Sequence, residues 1–394
     1  MRHPEEELLG ILKNTGVDFT CSLPCEKIKD LLVMINRSFF HVPLTREEEG
    51  VGICAGASLA GRMPAIFVQS SGIGNMINAL LSLTGFYELP LAIFVSQRGI
   101  YKEKIEAQFP MGRRLPGILR GVGIAYSVIR TADDFAAIEK KLDGLYRKNK
   151  IHAFLLSPAI WEGSKVTSQK SKVEIQAPLK KSILQSPPFA SGDEGGFFDK
   201  PGFPKRLNPK LSRFEILKIA TPYLGSKVVV CNLGFPSKEL FHIRHQPSNF
   251  YMLGSMGMAT PIGLGISLSA KKDVFVIDGD GSLLMNPGTL ATAAHLSPEG
   301  LTILAIDNGA YGSTGNQPTL TGSRVDLQTV AQGFGIRSTY QVATKKQLID
   351  VLKNRSRGLR FVHILAVPGN EELPPISLSH PEIKRQVQKF IRET

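Results

Sequence analysis

The chain has 394 residues, 42% hydrophobic and 21% charged, the balance of a soluble globular protein long enough for two cores. Lys and Arg outnumber Asp and Glu 47 to 34, yet the +13 excess gathers into no basic face readable in the sequence, so nucleic acid is not an expected partner. No apolar run approaches the roughly 18 residues that span a membrane, the start is too polar for a signal peptide, and Cys21, Cys25, Cys54 and Cys231 fit neither a zinc cluster nor a disulfide scaffold, so a cytoplasmic protein with free thiols is expected.

Along the first half, a helical stretch at 5–14 leads to a short strand at 17–21. A helix at 25–36 precedes a strand at 39–43, and a helix of small residues at 46–61 precedes the apolar strand 65–69. Further strands are expected at 89–96, 125–128 and 152–156, with helices between them. Short apolar, β-rich runs separated by amphipathic helices predict a mostly parallel sheet covered by helices on both faces. From 164 to 209 the rhythm fails in favour of Lys, Ser, Pro and Gly, which predicts a linker. The alternation then restarts with a helix at 213–224 and strands at 227–231, 273–277, 301–306 and 361–365. The expected fold class is α/β, with domains at 1–163 and 210–394 of one architecture but no close sequence repeat.

The strongest chemical signal lies in the second half. Ile277-Asp278-Gly279-Asp280-Gly281-Ser282 is followed by Asp307-Asn308-Gly309-Ala310-Tyr311, each at the C-terminal end of an expected strand. That edge is where open α/β sheets bind ligands. Gly279 and Gly281 allow close backbone approach to a phosphate, and a helix starting near Ser282 aims its N–H groups there. Asp280 and Asn308, 28 residues apart, offer hard oxygen ligands suited to magnesium, which takes its remaining ligands from phosphate and water. Upstream, Leu253-Gly254-Ser255-Met256-Gly257-Met258 forms a Gly-rich turn. In the first half, Glu47, Glu48 and Glu49 open a helix of small residues, where acidic groups suit the helix dipole.

The GDGS segment with its distant Asn resembles the diphosphate-binding motif of thiamine-diphosphate enzymes, with Asp307-Asn308 standing where Asn-Asn is usual. The resemblance implies Asp280, the Asn308 side chain and the Ala310 carbonyl as magnesium ligands, with Tyr311 beside them. It implies Met256, with Gly254 and Ser255, as the wedge that bends the cofactor. It further implies Glu47, with Glu48 as the alternative, as the carboxylic acid that hydrogen-bonds the pyrimidine ring and activates the thiazolium carbon. Ser22 to Lys27, Arg46 to Gly61 and Gln69 to Asn75 are similar to the sulfopyruvate decarboxylases, a lyase family that serves coenzyme M biosynthesis. In some methanogenic archaea that enzyme consists of two subunits, one per domain; here both halves share one chain. The phosphonopyruvate decarboxylases are similar too.

The implied substrate is a small anionic 2-oxo acid. Its second anion would need donors, for which Ser70, Ser71, Gly72, Arg98, Gln108 and Arg113 are candidates, with Arg46, Lys102 and Arg114 behind them. His41 is a candidate for proton transfer. The resemblance also implies a homodimer or homotetramer whose active sites lie between chains. A carboligase, or a nucleotide-binding protein that kept the GDG turn, would share parts of this pattern.

Overall fold

The computed structural model describes residues 3–164, 207–354 and 357–393, so the linker expected at 164–209 lies outside the described residues except at its ends. The first half builds a six-stranded sheet from β1 (Phe19–Ser22), β2 (Phe40–Pro43), β3 (Pro64–Gln69), β4 (Leu91–Ser96), β5 (Ala125–Ile129) and β6 (Ile151–Leu156). The second half begins with β7 (Val228–Cys231), β8 (Asn249–Tyr251), β9 (Val274–Gly279) and β10 (Leu301–Asp307). A short antiparallel hairpin, β11 (Ala310–Tyr311) and β12 (Gln317–Pro318), follows before β13 (Ser338–Val342) and β14 (Arg360–Leu365).

The strand orders are β2-β1-β3-β4-β6-β5 and β8-β7-β9-β10-β14-β13. Exchanging each strand for its counterpart makes the two orders coincide, and every ladder in both sheets is parallel. The central strands β3, β4, β9 and β10 are apolar on both faces because helices cover both. Two elements escape the hydrophobic pattern. β8 is only three residues long, and β13 is a half-buried edge strand whose Ser338-Thr339-Tyr340-Gln341 carries no apolar run. No helix among the described residues is long and apolar enough to cross a membrane.

The helix Glu47–Leu59 contains Gly50, Gly52 and Gly56, residues that cost helical stability in isolation, so its reason to exist is packing. It lies against the helix Ala259–Ser269, its counterpart in the second half. A Cβ at Gly56 would sit 2.1 Å from the Ile262 carbonyl oxygen, and one at Gly265 would sit 2.0 Å from that of Ile53. A Cβ at Gly52 would meet Pro261 at 2.5 Å. The contacts advance in step, Gly52 with Pro261 and Gly56 with Gly265, so the helices run in the same direction with backbones touching. Around them Tyr87, fully buried, donates its hydroxyl to the Tyr251 carbonyl and accepts from the Leu253 N–H, both at 2.9 Å. The C-terminal helix His380–Glu393 adds Lys384, which donates to the Glu88 carbonyl.

The glycine contact can be tested directly. Gly265→Ala forces two backbones apart and should cost about 1–3 kcal/mol or more. Gly117→Ala, at an exposed helical site with nothing within 4 Å of the new methyl, should instead stabilise by about 0.5–1 kcal/mol. Thermal unfolding of the two variants reads the opposite signs.

Candidate active site

At the C-terminal edge of the second sheet, three strand ends and two loops surround a cavity of about 200 Å³. β7 delivers Asn232, β9 delivers Asp278 to Ser282, and β10 delivers Asn308 with Ala310, Tyr311 and Gly312 beyond it. Met256 enters from the loop after β8, and Arg213 from the first helix of the second half, Arg213–Ala220. Every residue lining this cavity belongs to the second half.

The polar groups here are buried and mutually held. The Asp280 carboxylate accepts from Thr319 at 2.5 Å and from Thr321 at 2.9 Å. Burial, reinforced by the nearby Asp307 charge, pushes the Asp280 carboxyl up to about 6. Asp278 accepts from Thr260 at 2.8 Å and from the Gly279 N–H at 3.0 Å, while burial raises its pKa. Asp307 lies 2.7 Å from the same Thr321 hydroxyl, whose one proton the two carboxylates share, and faces His363 Nε2 at 2.8 Å. Burial alone would lower the His363 imidazole, but Asp307 on one side and Asp326 on the other outweigh it and raise it. The Asp that replaces the usual Asn before Asn308 is therefore not an uncompensated charge: it has a histidine partner 56 residues downstream.

The loops around this core are fitted to one another. Gly257 donates its N–H to Ser282 Oγ at 3.1 Å, and Asn286 donates to the Gly257 carbonyl. Ser255 takes a left-handed backbone, φ 60°, a conformation costly for a residue with a Cβ, and its hydroxyl lies 2.5 Å from that of Ser82 in the first half. Gly254 packs on the Ser82 carbonyl. The Tyr311 ring covers Gly281 so closely that a Cβ there would lie 2.2 Å from it. For a bound cation the protein offers one carboxylate (Asp280), one amide (Asn308) and one backbone carbonyl (Ala310). Among the described residues no cluster of three His, Cys, Asp or Glu could hold a metal. That donor set fits magnesium bound jointly with phosphate oxygens, and does not fit a cage built from protein alone.

In the first half the three glutamates part company. Glu47 is 4% exposed, packs its carboxylate against Gly72 and accepts from Asn75 at 2.9 Å. Glu49 is 1% exposed, reaches back to the Thr45 N–H and hydroxyl at the helix start, and accepts from Thr292 of the second half at 3.0 Å. Among the described residues Glu48 pairs with Arg46, at 3.6 Å, with its side chain 12% exposed.

The candidates for the substrate's second anion scatter. Arg98 is buried and gives its Nε and Nη2 to Glu103 at 2.5 and 2.7 Å, a pair that holds the 98–105 loop. Ser70 is spent on the Arg98 N–H and the Ser96 carbonyl. Ser71 is half-buried beside Gly72 at the start of the helix Ser70–Ala79, next to Glu47. Gln108 keeps a buried Oε1 without a partner, and Arg113 is exposed over the Phe109 ring. Lys102 pairs with Glu162. His41 lies 2.8 Å from Ser22 Oγ and burial lowers it to about 4, so it is a neutral ring in a structural bond. Cys21 and Cys54 lie side by side in the first core, reduced and away from the cavity. Thr319, Thr321, His363 and Arg213 carried no local sequence signal at all.

Two family models match the chain: the N-terminal TPP binding domain of thiamine pyrophosphate enzymes over residues 4–113 and the C-terminal TPP binding domain over residues 234–364. A sulfopyruvate decarboxylase of Methanosarcina acetivorans is 40% identical over 99% of this chain and 98% of its own. The alpha and beta subunits of sulfopyruvate decarboxylase from Methanococcus maripaludis are 40% and 45% identical, covering 41% and 47% of this chain and 98% and 100% of their own. A phosphonopyruvate decarboxylase of Streptomyces viridochromogenes is 30% identical over 98% of this chain and 94% of its own.

The Asp307–His363 pair makes a prediction of its own. His363→Leu strands a buried carboxylate and should cost about 3–5 kcal/mol, whereas adding Asp307→Asn to it should restore a large part of the loss. Chemical denaturation of the two single variants and the double variant measures the coupling.

Proposed function

This chain is a decarboxylase of the thiamine pyrophosphate enzyme family, related over its whole length to the sulfopyruvate decarboxylases, and on that premise we propose that it converts 3-sulfopyruvate to sulfoacetaldehyde with magnesium, in coenzyme M biosynthesis in the cytoplasm. The observation that carries the reading is the convergence of Asp280, Asn308 and Ala310 on one cavity at the C-terminal edge of the second sheet. Thiamine diphosphate, when bound, supplies a nucleophilic carbon and an acceptor for the electrons left as carbon dioxide departs. Asp280, Asn308 and the Ala310 carbonyl would hold the magnesium ion that neutralises the diphosphate. The Gly279-Asp280-Gly281-Ser282 turn gives the diphosphate backbone N–H groups. Met256, on the strained turn around Ser255, would support the cofactor from one side of the cavity.

The remaining task belongs to a glutamate of the first half, which holds a proton against the pyrimidine ring. Sequence placed Glu47 first and Glu48 second; the geometry supports the reverse. The Glu47 carboxylate is packed against Gly72 and bonded to Asn75, whereas Glu48 has only Arg46 beside it among the described residues and is the freer of the two to meet a ring from another chain. Glu47 then positions the neighbouring helix, and Glu49 ties the glutamate end to the second half through Thr292. For the substrate's sulfonate, Ser71, the N–H groups near Gly72, Arg98, Gln108 and Arg113 of the first half remain as candidates.

The cavity itself supports an active site between two chains. At about 200 Å³ it falls below the roughly 300–1,000 Å³ of complete small-molecule sites, and no residue of its own first half lines it. Leu253 and Met285, 41% and 46% exposed, flank the Met256 loop and the GDGS turn and would be covered by a partner. A homodimer is the smallest assembly that completes the site, and a homotetramer would pair two such dimers.

Glu48→Gln should lower kcat about 10²–10⁴-fold, and Glu47→Gln should have the smaller effect. Mixing Glu48→Gln protein with Asp280→Ala protein should regenerate about a quarter of wild-type activity, because half of the redistributed dimers carry one intact site. No recovery on mixing would place both residues in the same chain's site. Aldehyde release from sulfopyruvate and from phosphonopyruvate, measured side by side, decides the substrate: a higher kcat/KM for phosphonopyruvate would transfer the assignment to that second reading, which the Streptomyces relative keeps open. A hydroxyketo product would indicate a carboligase.

A further inference from the structure

In the wall of the cavity lies a buried ion pair, with Arg213 lining the cavity and Glu239 joined to it. Arg213 and Glu239, 7% and 1% exposed, meet through two parallel bonds of 2.9 and 2.8 Å. Such a pair is fully desolvated and contributes geometry more than net stability. Arg213 has a donor to spare, and its Nη2 also gives a bond to Asn370 Oδ1 at 2.8 Å. Glu239 in turn accepts from the Glu371 N–H at 3.3 Å. Together the pair captures residues 370–371, just beyond β14.

Asn370 then passes this fixation on. Its Nδ2 donates to the Gly312 carbonyl at 2.9 Å, and a Cβ at Gly312 would lie 2.6 Å from Asn370 Oδ1. The amide orientation is forced by chemistry, since arginine can only donate and a carbonyl can only accept. Gly312 directly follows β11, whose Ala310 and Tyr311 line the cavity, and whose partner β12 leads into Thr319 on Asp280. One side chain thus joins a rigid buried pair to the short hairpin that borders the cavity.

We propose that Asn370, held by the Arg213–Glu239 pair, is a positioning residue that fixes the Ala310–Gly312 loop in the geometry that binds magnesium and thiamine diphosphate. The role rests on the assignment of this cavity to the cofactor. Asn370 touches neither cofactor nor substrate; it acts through the Gly312 carbonyl. Without the bond the loop must be ordered at the moment of binding, which weakens affinity while leaving the fold intact.

The test is calorimetric titration of thiamine diphosphate, at fixed magnesium, into wild type, Asn370→Ala, Asn370→Asp and Gly312→Ala. Asn370→Asp keeps the acceptor for Arg213 and loses only the donor to Gly312; Gly312→Ala displaces the amide without adding charge. All three should bind about tenfold more weakly, the size expected for one lost bond at a site held by charged groups, with unfolding midpoints of the cofactor-free proteins unchanged. Combining Asn370→Ala with Gly312→Ala should weaken binding no further than either alone. Wild-type affinity in Asn370→Ala or Gly312→Ala, loss in Asn370→Asp alone, full additivity, or an equal fall in cofactor-free stability would each overturn the proposal. Failure of the wild type to bind would instead overturn the cofactor assignment on which it stands.

Discussion

The molecule turns on a contact with no side chains in it. Where the helix Glu47–Leu59 meets the helix Ala259–Ser269, Gly56 and Gly265 let two backbones touch, and the helices run the same way. Each helix begins beside chemistry: one with the glutamate triplet, the other just after the Gly254 to Met258 turn. Because the crossing leaves no space for a side chain, neither helix can slide or rotate without a clash. The relative height of the glutamates and the Met256 turn is therefore set by backbone geometry. Propensity would never choose three glycines for the first helix, so packing must supply what propensity withholds.

The equal strand orders explain why this contact can exist at all. The two helices are counterparts in two sheets of one topology, related by an approximate internal symmetry that the sequences themselves do not display. Similar surfaces packed about such an axis bring equivalent residues together, as Gly56 and Gly265 are. The separate alpha and beta subunits of the Methanococcus maripaludis enzyme match the two portions of this chain. Association of such halves needs no covalent link when an interface of this kind joins them.

Legibility in the sequence followed the range of the interactions. Central strands were readable because burial on both faces leaves an apolar run, and β3, β4, β9 and β10 fall within two residues of expectation. β8 and β13 were not, being a three-residue strand and a polar edge. The GDGS turn, Asn308 and the Met256 turn stood out because their residue types are local and rare together, and the structure brings them to one cavity. Thr319, Thr321 and His363 were invisible, since a threonine or histidine on a carboxylate 39 to 56 residues away leaves no spacing to read. The glutamate triplet was legible as a group only. Its members differ by the direction each takes from the helix, and that direction depends on Asn75 and Thr292, which belong to other elements.

Charge at the second sheet's edge follows from the same geometry. Asp278, Asp280 and Asp307 end adjacent strands, all nearly without solvent, and neutral hydroxyls of Thr260, Thr319 and Thr321 hydrogen-bond them. Hydroxyls orient carboxylates without cancelling their charge, and the imidazole in contact, His363, is committed to Asp307 and Asp326. Asp278 and Asp280 are thus both held in place with no cation bonded to them among the described residues, and Asp280 is the one that lies beyond the end of β9. Burial of that kind is unfavourable for an isolated acid and favourable once a divalent ion arrives, so the geometry that strains Asp280 alone is what would make it a metal ligand.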